Sequence, residues 1–272
     1  MQDKLTPRQS RAWGLCALSV PAAMALAAHG WIGVLAGSAA ASGIVLFLQT
    51  LQRRIGQSLP EQMARAFGQR GGQIVGAAVC LWLLLAASGA AAASQIAFED
   101  NLGPLAPAVP LLLAALASRK GQAAAARVSG VLALCLALLY SIIALASLRH
   151  VQAAWCRPWG SAADAGLSLC LCLTPACLLF LDGDGQTPRP GWSALAAAVL
   201  PGAAALLCSA CLSPAWTAQL QQPLYTLTKS LSVLSVMQRF ELLLSTAQLL
   251  GLVSLLTLFV CAAVRTAEVC LG

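Results

Sequence analysis

Charged side chains are scarce in this sequence: Asp, Glu, Lys and Arg make up only 9% of its 272 residues, whereas hydrophobic residues make up 59%. A soluble domain usually carries about 25% charged residues, and even a well-packed soluble fold leaves much of its surface in water. A lipid bilayer, by contrast, accepts apolar surface as its own solvent. The shortage of charge therefore excludes an ordinary soluble protein and indicates an all-α polytopic membrane protein.

Sequence motifs that carry enzyme and metal chemistry are also missing. The sequence has two histidines and no nucleotide-binding loop, HExxH motif or GxSxG motif. Cys208 and Cys211 form a CxxC pair, but no companions stand at metal-ligand spacing. Free cysteines in apolar stretches behave as small hydrophobic residues. We therefore expect no catalytic residue, no metal site, no cofactor and no enzyme activity.

The net charge of +7 lies in short segments between the apolar stretches. These segments lack the interleaved aromatic residues that are typical of nucleic-acid surfaces. We therefore expect the basic residues to orient the chain in a lipid bilayer, and we expect no nucleic acid as a partner.

Eight apolar stretches approach the roughly 20 residues that a helix needs to cross a bilayer. A polar stretch between the second and the third begins with a helix-start pattern at Ser58 and Pro60, and it predicts a short helix at the membrane interface over 60–67. Residues 1–272 thus form a single transmembrane domain. The approximate bounds of the predicted spans are 13–28, 31–51, 73–98, 104–118, 123–148, 165–181, 192–212 and 242–264.

With a cytoplasmic N-terminus, the basic residues divide unequally between the two sides of the membrane. Four of them, Arg149, Arg157, Lys229 and Arg239, fall outside. An excess of basic residues marks cytoplasmic loops, so we predict that both termini are cytoplasmic and that the number of spans is even. One alternative stays open, because the first span also fits a cleaved signal peptide. The twelve inner residues are Lys4, Arg8, Arg11, Arg53, Arg54, Arg65, Arg70, Arg119, Lys120, Arg127, Arg189 and Arg265.

Two prolines stand inside predicted spans, Pro21 in the first and Pro175 in the sixth. A proline within a helix removes one backbone hydrogen bond and pushes on the preceding turn. Transporters built from two inverted repeats have broken helices at corresponding positions, with the substrate between them near the midplane. The pair therefore indicates either a binding site between broken helices one and six or two simple kinks.

Ionisable residues are missing from the middle of the predicted spans. Proton relays and ion pathways usually contain buried Asp, Glu, His or Lys, so proton pumping through such a residue is not expected. Arg239 and Glu241 stand just before the last span. They could form an ion pair at the outer boundary, mark the interface, or act in gating.

Several loosely matching segments together resemble one known family. They are Lys4-Leu-Thr-Pro-Arg-Gln9 before span one, the stretch 51–68 after span two, Arg119-Lys-Gly121 and Ala126-Arg-Val128 at the start of span five, and Pro223-Leu-Tyr-Thr-Leu-Thr-Lys-Ser230 and Gln238-Arg-Phe-Glu241 before span eight. In these segments the chain resembles the permease-like B subunits of spore germinant receptors, within the amino acid–polyamine–organocation superfamily.

The resemblance implies a shortened inverted-repeat amino-acid permease fold, since members of that family have ten spans and this sequence predicts eight. It also implies a ligand site among spans one, three, six and eight for a small amino-acid-like molecule. Backbone groups and helix ends at unwound regions would contact the ligand there. By resemblance these regions comprise Ser19, Val20, Pro21, Ala22, Leu173, Thr174, Pro175 and Ala176.

Three functions follow as hypotheses. The first is a nutrient-sensing subunit of a spore germination receptor, located in the inner membrane of a bacterium or spore together with other receptor subunits. The second is a secondary amino-acid transporter, which the absence of buried charge and the short span count make less attractive. The third is a membrane scaffold that keeps the fold and binds no ligand.

Overall fold

A computed structural model of the chain describes residues 5–181, 191–230 and 240–270. Within these ranges the protein is helical and contains no β-strand. Short 3₁₀ segments cover Leu26–Ala28, Gly103–Leu105, Leu148–His150, Ala153–Trp155 and Thr174–Phe180. The α-helices are α1 (Pro7–Met24), α2 (Trp31–Ile55), α3 (Leu59–Leu102), α4 (Ala108–Arg119), α5 (Gln122–Ser147), α6 (Ala162–Cys172), α7 (Gly191–Leu212), α8 (Pro214–Thr217), α9 (Pro223–Ser230) and α10 (Phe240–Cys270).

Six helical segments in the described part of the chain are long and apolar enough to cross a bilayer. This finding confirms a polytopic membrane protein, while the count of eight spans stays a prediction. The six segments are Trp31–Ile55, Leu59–Gln95, Gln122–His150, Ala162–Phe180, Ser193–Leu212 and Leu242–Cys270.

The other two predicted spans, 13–28 and 104–118, also contain helices, but each falls short for a different reason. Helix α4 has only 12 residues, which at 1.5 Å per residue is about 18 Å against a hydrocarbon core of about 30 Å. Helix α1 has 18 residues and carries Arg8 and Arg11 in its first turns, and these charges lower its mean hydropathy.

Helix α1 lies at the centre of the bundle, in contact with α5, α6, α7 and α10. It starts with a capping box in which the Thr6 hydroxyl accepts a hydrogen bond from the Gln9 amide at 3.3 Å, and the Gln9 side chain accepts one from the Thr6 amide at 3.0 Å. Trp13 is fully buried, and its indole Nε1 donates a hydrogen bond to the Ser254 carbonyl of α10 at 3.1 Å. Because α1 is covered by protein, it needs little lipid-facing apolar surface.

The break in α1 lies further along the chain than we predicted. Residues Ser19 to Ala22 are helical, so the prediction of an unwound region there is wrong. The helix continues through Pro21, whose carbonyl accepts a hydrogen bond from the Ala25 amide at 3.0 Å, and it ends at Met24. A proline disturbs the turn that precedes it and leaves its own carbonyl free to accept, so the helix can continue one turn beyond.

The break in α6 lies where the sequence predicts it. Helix α6 ends at Cys172, and the 3₁₀ segment that contains Pro175 begins at Thr174. The Thr174 hydroxyl donates to the Leu171 carbonyl at 2.6 Å, and the Ala176 amide donates to the Leu173 carbonyl at 2.8 Å. These contacts satisfy backbone groups that the end of the helix leaves without partners.

Helix α2 packs against α6 and α7 through small residues. A Cβ atom added at Gly37 would lie 2.9 Å from the Ala165 carbonyl carbon, so α2 and α6 approach nearly to backbone contact there. Hydroxyl groups support this contact: Ser168 donates to the Val34 carbonyl at 2.7 Å, and Ser38 donates to the Ala198 carbonyl of α7 at 2.8 Å. Small residues and interhelical hydrogen bonds are the usual means of helix association in lipid.

Helix α3 begins as a short separate segment, close to the predicted helix at 60–67. It starts at Leu59 and is interrupted at Gly68, which has φ 68° and ψ −179°, a conformation that glycine adopts readily. The rest of α3 runs along α10. Near the start of α3, Glu61 lies 3.9 Å from Arg265 of α10, and this ion pair ties the short segment to the end of the last helix.

Candidate functional site

A cavity of about 790 Å³ opens between α1, α3, α6 and α10. These four helices correspond to predicted spans one, three, six and eight. The chain segments next to the two helix breaks form part of its wall. Its lining residues include Met24, Ala25 and Ala28 from the break in α1, and Leu171, Leu173, Thr174 and Cys177 from the break in α6.

The structure brings together half of the eight predicted ligand-site residues. Val20, Pro21, Leu173 and Thr174 line the cavity. The remaining four do not line it. Ser19 and Ala22 line a smaller cavity of about 310 Å³ that is also bounded by α5, α7 and α9, and neither cavity is lined by Pro175 or Ala176.

The two predicted boundary residues cannot be placed at this cavity. Arg239 lies outside the described residues, and so does the side chain of Glu241. The hypothesis that they form an ion pair or act in gating therefore stays a prediction.

One end of the cavity is polar, and sequence reasoning missed it. His29 follows the 3₁₀ turn after α1, and its Nδ1 lies 2.8 Å from an Asp164 carboxylate oxygen at the start of α6. The two residues are 135 positions apart in sequence, and both line the cavity. The sequence shows them only as polar residues at span ends, so nothing in it indicates that they pair.

Asp164 is held by both of its carboxylate oxygens. One oxygen contacts His29, while the other accepts hydrogen bonds from the Ser161 amide at 2.7 Å and the Ser161 hydroxyl at 2.9 Å. Ser161 in turn caps α6, because its hydroxyl accepts a hydrogen bond from the Asp164 amide at 3.2 Å. The carboxylate also lies in the first turn of α6, where a negative charge interacts favourably with the helix dipole.

The opposite part of the cavity wall is apolar. Leu252, Leu255 and Phe259 of α10 face Val20 of α1, and Trp82 and several alanines of α3 complete the wall. Gly89 of α3 also lines the cavity, and a Cβ atom added there would meet nothing within 4 Å. The arrangement can bind a small molecule that has one polar end.

The chain matches no protein-family model and no curated protein. The cavity and the resemblance of sequence segments are therefore the features that point to a function. Within the described ranges, no group of three or more His, Cys, Asp or Glu residues is placed to hold a metal ion. Four residues of these types line the cavity: His29 and Asp164, which contact each other, and Cys170 and Cys177.

Replacing Asp164 by asparagine is expected to lower the free energy of unfolding by about 2 kcal/mol, because hydrogen bonds to a charged group are stronger than those to a neutral amide. The asparagine side chain has the same size but only one oxygen, and that oxygen is neutral. It therefore cannot accept hydrogen bonds from both His29 and the Ser161 amide. Denaturant unfolding in detergent micelles measures the change.

The matched control is Glu268→Gln, because the Glu268 side chain is 60% exposed and its ion pair with Arg265, at 3.4 Å, lies at the surface. We expect this variant to change stability by less than about 0.5 kcal/mol. Equal losses in the two variants would show that the contact between His29 and Asp164 has no special role.

Proposed function

We propose that this chain is the membrane subunit of a spore germination nutrient receptor and that it senses a small amino-acid-like germinant in the cavity. The observation that supports the proposal is the convergence of α1, α3, α6 and α10 on one cavity beside two helix breaks. The resemblance to germinant receptor B subunits implies a ligand site among those same four spans. The cavity has the volume of an ordinary small-molecule site.

The proposal includes the topology and the partners that the sequence suggests. Both termini lie in the cytoplasm, the protein resides in the inner membrane of a bacterium or spore, and other receptor subunits associate with it. Sensing needs a difference in ligand affinity between two conformations. The segments beside the breaks, around Ala25 and Leu173, are where the backbone can adjust between two such states.

A deletion strain tests the proposal directly. Spores that lack this gene are expected to lose germination in response to at least one nutrient, and expression of the unaltered chain restores it. Unchanged germination with every nutrient tested overturns the proposal.

The role of the cavity is tested by a matched pair of glycine variants in the same strain. Gly89→Leu adds a large side chain to the cavity lining, at an exposed position where Cβ meets nothing within 4 Å, and we expect it to abolish the nutrient response. Gly43→Leu introduces the same side chain on α2 at an exposed position where Cβ also meets nothing within 4 Å, and we expect a normal response. A normal response from Gly89→Leu would contradict ligand binding in the cavity.

Transport is the second function to be tested, because a cavity beside broken helices is also found in secondary transporters. Uptake of radiolabelled amino acids into proteoliposomes separates the two activities. We expect uptake no greater than in empty liposomes. Concentrative uptake of any amino acid would replace the receptor proposal with a transporter.

A further inference from the structure

The cavity wall has a polar part and an apolar part. Helices α1 and α6 run in opposite directions, so His29, just after the 3₁₀ turn that follows the first, meets Asp164 at the start of the second. Val20 lies four residues before Met24, where α1 ends, which corresponds to about 6 Å along the helix, and the break and His29 follow. Val20 therefore marks a level of α1 before the polar end, and Thr174 and Cys177, in the 3₁₀ segment beyond the end of α6, line the cavity too.

Helix α10 places its apolar residues at the level of Val20. A Cβ atom added at Gly251 of α10 would lie 3.9 Å from the Cys16 carbonyl oxygen, which fixes this part of α10 beside the middle of α1. Leu252, Leu255 and Phe259 follow directly along α10 and line the cavity. The α10 wall of the cavity is therefore apolar, and His29 and Asp164 lie at the end where α1 stops.

Charge is absent from the apolar part of the lining. In the described ranges, the lining side chains of Asp, Glu, Lys, Arg or His type are His29 and Asp164, both at the polar end. A ligand with a second charged group on its side chain would bring that charge against Leu255 and Phe259. Burying a charge without a partner is strongly unfavourable, so the lining selects against acidic and basic side chains.

The volume of the cavity selects against small ligands. At about 790 Å³ it lies in the upper part of the range of roughly 300–1,000 Å³ found for small-molecule sites. Glycine or alanine would leave the apolar wall without contacts, and the dispersion energy of those contacts would be lost. A large apolar side chain would contact Leu252, Leu255 and Phe259 while its head group stays at the polar end.

We propose that the cavity binds an amino-acid-like ligand with a bulky apolar side chain, aromatic or long and branched. The zwitterionic head group lies at the His29 and Asp164 end, and the side chain extends toward α10. Both oxygens of Asp164 already accept hydrogen bonds, whereas the contact between the two residues uses only the Nδ1 of His29, so the Nε2 of His29 is the atom of this pair that meets the ligand. This inference rests on the proposed function, because it assumes that the cavity is the ligand site.

Equilibrium dialysis with the full chain in lipid nanodiscs tests the ligand class. The probes are radiolabelled L-tryptophan, L-phenylalanine, L-alanine and L-glutamate. We expect L-tryptophan and L-phenylalanine to bind at least about tenfold more tightly than L-alanine, because each buries a larger apolar area, and we expect no binding of L-glutamate. Tighter binding of L-alanine or L-glutamate, or binding of none of the four, overturns the inference.

The glycine pair shows whether the bound amino acid occupies this cavity. We expect Gly89→Leu to weaken L-tryptophan binding at least about tenfold, since the added side chain fills space that the ligand needs. Gly43→Leu lies on another helix outside the lining and is expected to bind like the unaltered chain. Equal affinities in the two variants overturn the inference.

The germination assay separates this inference from the proposed function. Tight L-alanine binding, together with a deletion strain that fails to respond to L-alanine, leaves the proposed function standing and removes the proposed ligand class. Binding of L-tryptophan in the cavity, together with normal germination of the deletion strain, leaves the ligand class standing and removes the receptor function.

Discussion

Replacing Gly37 by alanine is expected to lower the free energy of unfolding by about 3 kcal/mol, at the upper end of the cost of overpacking. The added methyl group would collide with the Ala165 carbonyl oxygen and would lie 2.9 Å from the Leu169 amide nitrogen. Both are backbone atoms, so no side-chain rotation relieves the contact and α2 must move away from α6. Thermal unfolding in detergent micelles measures the loss.

Gly43→Ala is the control for this prediction, because it makes the same change on the same helix where a Cβ atom meets nothing within 4 Å. There the substitution should raise stability by about 1 kcal/mol, since glycine is a poorer helix former than alanine. Opposite signs for the two variants establish close packing of α2 on α6. A loss of similar size at both positions would contradict it.

Replacing Trp13 by alanine is expected to cost about 4 kcal/mol, a typical value for removing a buried tryptophan. The side chain is fully buried in α1 and contacts α10 through its hydrogen bond to the Ser254 carbonyl at 3.1 Å. Because α1 and α10 both line the cavity, the same change should weaken ligand binding. Chemical denaturation and equilibrium dialysis measure the two effects.

Two further substitutions separate packing from hydrogen bonding at this position. Trp13→Phe keeps most of the ring contacts and removes the Nε1 donor, so we expect it to cost about 1 kcal/mol. Trp216→Ala removes a tryptophan that is 54% exposed in α8, and we expect a change within about 0.5 kcal/mol. If Trp216→Ala proved as damaging as Trp13→Ala, the central position of α1 would be in doubt.

The helical class of this protein could be predicted from its sequence because it depends on local composition. Long apolar stretches with little charge have few stable arrangements other than membrane helices, and helices occupy the predicted positions. The break near Pro175 was predictable for the same reason, since a proline acts on its own turn. The break at Ala25 was placed too early because the helix carries on for one turn past Pro21.

The candidate site was predictable only in part, because it depends on contacts between distant residues. The resemblance implied which four spans surround the ligand, and Val20, Pro21, Leu173 and Thr174 do line the cavity. The pairing of His29 with Asp164 joins residues 135 positions apart, and no local pattern carries that information. The Gly89 position likewise becomes meaningful only when the walls around it are known.

Helix α4 has a consequence for the surrounding lipid. Its 12 residues reach about 18 Å, and Leu112 and Leu116 on it are 63% and 50% exposed. A hydrophobic surface shorter than the hydrocarbon core of about 30 Å creates a mismatch that the bilayer relieves by thinning. With α4 as a transmembrane span, as the sequence predicts, the membrane should be locally thin beside it, and lipids with shorter acyl chains should collect at that side of the protein.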